Sequence, residues 1–308
     1  MSHVARRTAW LAILSLAVLV APVSAQPARQ GLLTLEDARI FIGTGDPIII
    51  VHGGPGLDHA YVQPGLNALA GRNTLVYYDQ RGTGRSEVAL DSTSVSFDVF
   101  VDDIDMLRQV LEYERVTVLG HSFGALIALE FARRYPDSLD GLILMNPAEP
   151  GSRFADATAT RMAAARTEED VAAMAELTAS EGFEARDPTT LSEVYHVAFR
   201  STFRDRARVE ELDLGLAART AQNGQDVARL LGQSMGTVDW WDRLLDIQTP
   251  TLIVHGRNDI PPVSMARALA EALPRGSVAI LQSGHFPYIE DVEALTSAIS
   301  GFLAGLRR

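Results

Sequence analysis

Six short runs recur along the chain without the polar alternation of a half-exposed strand. They are residues 47–52 (PIIIVH), 74–79 (TLVYYD), 116–120 (VTVLG), 141–146 (GLILMN), 250–255 (PTLIVH) and 277–281 (SVAIL). A run that is apolar at nearly every position must be covered on both faces, and a parallel sheet between layers of helix does this. Helical periodicity fills the intervals at 97–112, 122–135, 263–273 and 291–306. Strands alternating with helices predict an α/β fold with right-handed crossovers.

Residues 147–246 break this rhythm. They are rich in Ala, Arg and Glu, carry helical periodicity and offer no convincing buried strand. Because the sheet pattern resumes at Pro250, the segment must return to the same core. It is read as a helical cap inserted into a core of residues 26–146 and 247–308. Such a cap is expected over the carboxyl ends of the strands, where open α/β sheets bind ligands.

Chemistry concentrates at residues 120–124, Gly120-His121-Ser122-Phe123-Gly124. A strand runs directly into this pentapeptide and an amphipathic helix runs directly out. Ser122 there is either the N-cap of the helix or the nucleophile of a G-x-S-x-G elbow. The glycines suit the elbow, since a sharp turn packed against its neighbours leaves no room for side chains. The strand-turn-helix context favours the nucleophile.

A serine hydroxyl needs a base, and the base needs an orienting group. Of seven histidines, His3 is N-terminal, His52, His121 and His255 fall at strand ends or inside the elbow, His59 in a loop and His196 in the cap. His285 follows the last strand and precedes the final helix, so it can project over the sheet edge toward Ser122. For the acid, Asp259 follows the strand at 250–255 closely, and Glu149 after the preceding strand is the rival. Ser122, Asp259 and His285 fall in the Ser–acid–His order of α/β-hydrolases. The developing oxyanion needs backbone N–H donors. Phe123, next to the nucleophile, would supply one. Gly54 in His52-Gly53-Gly54-Pro55-Gly56 would supply the other, with Gly53 as the alternative.

Composition removes competing chemistries. The chain has no Cys, which excludes thiol nucleophiles, zinc–thiolate sites and disulfides. All 27 basic residues are Arg, so Schiff-base catalysis and a Walker-type phosphate loop have no lysine to work with. The net charge of −12 repels phosphate backbones and gives no support to a nucleic-acid partner.

Taken together, HGGPG at 52–56, DQRGTGRS at 79–86, GHSFG at 120–124, GRND at 256–259 and GH at 284–285 resemble the α/β-hydrolase superfamily. HGGPG with DQRGTGRS is similar to its proline iminopeptidase branch, peptidase family S33. The resemblance implies an eight-stranded, mostly parallel sheet, a helical cap, and no metal or organic cofactor. It also implies that Asp79, Arg81 and Arg85 organise a loop beside the site, and that the substrate is a small peptide that loses its N-terminal residue. Two features depart from that branch. Proline iminopeptidases usually carry a GGSWGS-like elbow, whereas this chain has GHSFGA, a form common among esterases and C–C bond hydrolases. The branch's cap supplies acidic residues for the substrate amine, often beside tryptophan. Here Trp240 and Trp241 lack an adjacent Glu, and Glu181, Glu184, Glu193, Glu210 and Glu211 are unranked candidates. Ester or lactone hydrolysis is therefore the alternative, and a non-catalytic binding protein of the same fold a more distant one.

Arg6 and Arg7, an apolar run at residues 9–21 and Val23-Ser24-Ala25 have the order of a secretory signal cut after Ala25. The 13-residue run is short for a membrane span of about 20. The chain is thus expected to be exported, with an uncleaved N-terminal anchor as the alternative.

Overall fold

A computed structural model describes residues 39–236 and 239–307; the signal expected over residues 1–25 lies outside them. The strands are β1 (Arg39–Ile42), β2 (Asp46–Val51), β3 (Asn73–Tyr78), β4 (Val116–His121), β5 (Leu139–Met145), β6 (Thr251–Gly256) and β7 (Gly276–Leu281). They form one sheet in the order β1-β3-β2-β4-β5-β6-β7. Only β1 runs antiparallel, against β3; every other pairing is parallel. The described residues hold seven strands where the resemblance implies eight.

The six apolar runs become β2 to β7, each within one or two residues of the expected bounds. Their double-sided burial is visible within β2. Ile48 and Ile50 join a core cluster with Leu295, Ile299 and Leu303 of the last helix. Ile49 and Val51 join a second cluster with Ile127 and Phe131 on the opposite face. Each such side chain contributes about 1.5–3 kcal/mol on burial, so β2 has no face left for a polar residue.

The helices are α1 (Gln63–Leu66), α2 (Phe97–Val110), α3 (Phe123–Arg134), α4 (Ala155–Ala165), α5 (Glu168–Thr178), α6 (Glu181–Glu184), α7 (Pro188–Arg200), α8 (Ala218–Met235), α9 (Val263–Ala272), α10 (Pro287–Glu290) and α11 (Val292–Leu306). The core-facing stripe of α11 is Leu295, Ile299 and Leu303, one residue per turn on one side. By contrast α3 is buried continuously from Phe123 to Ala132, as a helix covered by both the sheet and α2 must be.

Between β5 and β6 the described residues contain helices α4 to α8 and no strand. These helices are fixed by local chemistry. Thr167 and Asp170 form a reciprocal capping box at the start of α5, and Asp170 also receives Arg206 at 2.6 Å. Asp187 caps α7, with Pro188 as its first residue. The insertion rests on the carboxyl edge of the sheet. Gly224 of α8 meets the 52–56 loop at Gly56 so closely that a Cβ on Gly224 would lie 2.4 Å from the Gly56 carbonyl oxygen. No described helix is long and apolar enough to cross a membrane.

Candidate active site

Strand register brings the sequence-predicted residues to one edge. Val51 lies opposite Gly120, His121 opposite Met145, Met145 opposite Val254, and Gly256 opposite Leu281. The carboxyl ends of β2, β4, β5, β6 and β7 are therefore level. Gly53 and Gly54, Ser122, Asn146, Asp259 and His285 each follow one of them.

Ser122 sits between β4 and α3 with φ 54° and ψ −120°, a left-handed conformation that costs a non-glycine residue about 1–3 kcal/mol. Its N–H donates to the Met145 carbonyl at 3.1 Å, and its own carbonyl accepts from Ala125 and Ala148 at 3.1 Å each. The flanking glycines are required by contact. A Cβ at Gly120 would lie 2.5 Å from the Gly124 oxygen, and one at Gly124 would lie 2.3 Å from the Val51 oxygen. Ser122 occupies the N-cap position, yet its hydroxyl makes no capping bond and its backbone is not the extended form of a capping serine. The helix-cap reading of this serine is thereby set aside.

His285 pairs with Asp259. Its Nδ1 lies 3.0 Å from both carboxylate oxygens, and Asp259 is buried. Asn146 Nδ2 donates to Asp259 Oδ2 at 2.7 Å and the Ile260 N–H donates to Oδ1 at 2.7 Å. Burial would raise the Asp259 carboxyl, but the charge and hydrogen bond of His285, helped by His255 and Asn146, outweigh it and bring it down to about 2. Glu149, the rival acid, is half-buried and accepts from the Phe154 N–H at 2.8 Å instead. Among the described residues no hydrogen bond joins Ser122 to the His285 ring. His121, next to Ser122, lies with its ring 4.9 Å from that of His285.

The 52–56 loop packs directly on the serine: a Cβ at Gly53 would lie 2.9 Å from Ser122 Cβ. The Gly53 N–H is already donated to the Tyr61 hydroxyl at 2.6 Å. Of the two glycines considered as oxyanion donors, Gly53 is therefore occupied and Gly54 remains the candidate. Behind the loop, the Gln80 N–H donates to His52 Nε2 at 3.1 Å and the Gln80 side chain to the His52 carbonyl at 2.6 Å. Asp79 accepts from the Arg85 N–H at 2.8 Å and pairs with His59 at 2.6 Å. Arg81 forms a buried fork with Asp103, both bonds 2.6 Å. Gln80 thus braces the 52–56 loop directly, Asp79 ties His59 to the Arg85 backbone, and Arg81 anchors the 79–86 segment to α2.

The remaining candidates lie elsewhere. Glu181, Glu184, Glu193, Glu210 and Glu211 are all exposed. Trp240 and Trp241 are buried; Trp240 packs on Phe97 at 4.9 Å, and Phe97 meets Phe123 at 6.3 Å. On the other side Phe286, adjacent to His285, stacks with Phe203 at 4.8 Å and meets Phe199 at 5.2 Å. Aromatic groups thus flank the elbow on two sides. No cluster of His, Asp and Glu among the described residues could hold a metal ion.

Sequence reasoning missed four contributors. Asn146 orients Asp259, and its only sequence signal is a polar residue closing an apolar run. Tyr61 bonds the Gly53 amide. From the insertion, Arg161 donates to the backbone oxygens of Asp259 at 2.7 Å and Ile260 at 3.0 Å. The Thr202 carbonyl accepts from the His285 N–H at 2.9 Å.

A family model described as alpha/beta hydrolase fold matches residues 46–292. A proline iminopeptidase of Heyndrickxia coagulans is 28% identical over 272 residues, covering 85% of this chain and 91% of that protein. Among solved structures, a thermophilic esterase from Thermogutta terrifontis matches with TM-score 0.65 and 26% identity, over 88% of this chain and 94% of that one. The proline iminopeptidase of Mycobacterium smegmatis gives TM-score 0.65 at 24% identity, over 89% and 97%, a likeness of fold.

Proposed function

The chain belongs to the α/β-hydrolase fold family, and from that membership we propose that it is a serine hydrolase working through an acyl-enzyme. The observation that carries this is the His285–Asp259 pair, its carboxylate buried and supported by Asn146, at the same sheet edge as a strained, uncapped Ser122. Ser122 Oγ attacks the acyl carbonyl while its proton passes to His285 Nε2. Asp259 accepts from Nδ1–H and stabilises the imidazolium. The amides of Gly54 and Phe123 hold the oxyanion, favoured by the α3 N-terminus. His285 then returns the proton to the departing alcohol or amine. Water attacks the acyl-enzyme by the same route in reverse, releasing the acid and restoring Ser122.

Two substrate readings use this machinery. The HGGPG and DQRGTGRS loops and the Heyndrickxia relative support release of an N-terminal residue, proline above all, from small peptides. The surroundings of the elbow favour the second reading, an uncharged ester or lactone. Phe97, Phe123 and Trp240 stand on one side, Phe199, Phe203 and Phe286 on the other, and the five candidate amine-binding glutamates face solvent. We therefore place small-acyl ester hydrolysis first. The test pairs L-proline p-nitroanilide with short-chain p-nitrophenyl esters, using Ser122→Ala as control. Ester turnover lost in the variant is the expected result. Anilide turnover lost in the variant would restore the aminopeptidase reading, and activity surviving in Ser122→Ala would remove the nucleophile.

A further inference from the structure

Three hydrogen bonds run through the centre of the site without touching the reacting atoms. The Gly53 N–H donates to Tyr61 Oη at 2.6 Å. Tyr61 Oη lies 2.8 Å from His121 Nδ1. His121 Nε2 lies 3.0 Å from the His285 carbonyl oxygen. The ends of this chain fix every proton in it. A carbonyl can only accept, so His121 carries its hydrogen on Nε2. Nδ1 is then an acceptor, and the Tyr61 hydroxyl must donate to it while accepting from Gly53, whose amide can only donate. One arrangement of donors satisfies all four groups.

We infer that Tyr61 and His121 form a positioning strut between the oxyanion loop and the loop that carries His285. The strut builds on the serine-hydrolase reading above and assigns it two further residues. At one end it consumes the Gly53 amide, so that the loop presents the Gly54 amide to substrate. At the other it holds the backbone of His285 from one side while Thr202 holds it from the other, leaving Asp259 to orient the ring. His121 is joined by a peptide bond to Ser122, so the same element registers nucleophile, oxyanion donor and base against one another.

The environment keeps the strut in its single proton arrangement. Tyr61 and His121 are both buried. The rings of His285, Phe286 and Tyr288 surround His121 at 4.9, 5.8 and 5.7 Å. The ionisable groups that act on it are His285, His52 and Asp259. Burial first, then His285, pull its imidazole down to about 3, so it remains a neutral acceptor at Nδ1 across the working range.

Tyr61→Phe and His121→Phe, singly and combined, test the strut on the full chain. Positioning acts on the transition state, so each single variant should lower kcat for a p-nitrophenyl ester by roughly 10- to 100-fold, with KM changed less than about threefold. Because the two residues act as one unit, the double variant should lose no more than the worse single variant. Multiplying losses, or a change confined to KM, would overturn the proposal. A second readout does not depend on turnover. Imidazole nitrogen NMR of the wild type should show His121 as the neutral Nε2–H form with Nδ1 accepting. Tyr61→Phe should shift the Nδ1 and Gly53 amide resonances while Ser122 still reacts with a fluorophosphonate. A wild type that neither turns over nor labels would sink the hydrolase reading, and the NMR pattern would still decide the strut. An Nδ1–H tautomer, or resonances unmoved in Tyr61→Phe, would overturn it.

Discussion

At the scale of single residues the site is a set of backbone and proton constraints. Ser122 is held in a left-handed turn that only flanking glycines permit. Geometry favours Asp259 over Glu149 as the candidate acid: both oxygens of Asp259 reach His285 Nδ1, whereas Glu149 is engaged with the Phe154 amide. This separates two variants of equal size. Asp259→Asn keeps the packing but no longer holds the imidazole in its working tautomer, so kcat should fall roughly 10³- to 10⁴-fold. Glu149→Gln retains an oxygen that can accept from Phe154 and should change kcat less than about threefold. Steady-state rates on the best ester from the paired assay decide it, and the reverse order would move the orienting role to Glu149.

At the scale of elements, what the sequence reveals is what local pattern can encode. The strands β2 to β7 are legible because burial on both faces forbids polar positions. The short edge strand β1 is not, since its apolar run is only three residues long, Ile40 to Ile42, and Phe41 within it is exposed. Ser122, Asp259 and His285 are legible because each follows a recognisable strand. Asn146, Arg161 and Thr202 are not, because their roles exist only once distant segments meet: Arg161 acts on backbone 98 residues away. The inserted helices thereby grip the loops that carry Asp259 and His285 as well as the 52–56 loop, where α8 touches Gly56 backbone to backbone. Gly224→Ala should force α8 off that loop. The expected loss is about 1–3 kcal/mol of unfolding free energy, the usual scale of overpacking. Urea denaturation would measure it, and an unchanged midpoint would mean that the contact yields without cost.

For the whole molecule, three buried histidines set how it should respond to acid. His52, His121 and His255 are all pulled below the ordinary imidazole value, burial being the leading cause in each. The unfolded chain then takes up protons below about pH 6.5 that the folded one refuses. Stability must therefore decline as pH falls through that value and continue to decline toward the folded-state values. Asp259 acts in a lower window, because its folded value near 2 lies below the unfolded one of about 3.9. Its contribution is complete above about pH 4 and is lost between there and about 2. Asp79 and Glu130, both lowered in the fold, work in the same direction. Global charge opposes this trend near neutrality: a chain at −12 with an isoelectric point near 5.0 loses self-repulsion as it is acidified. A decline that begins near pH 6.5 thus points to the histidines and not to net charge. Thermal unfolding across pH 8 to 3 should show a Tm that is level above 7, falls from about 6.5 and steepens below 4. A Tm level down to pH 4.5 would mean that proton uptake by the three histidines is as easy in the folded protein as in the unfolded chain or is offset by the lost self-repulsion, and the nitrogen NMR of His121 would decide between the two.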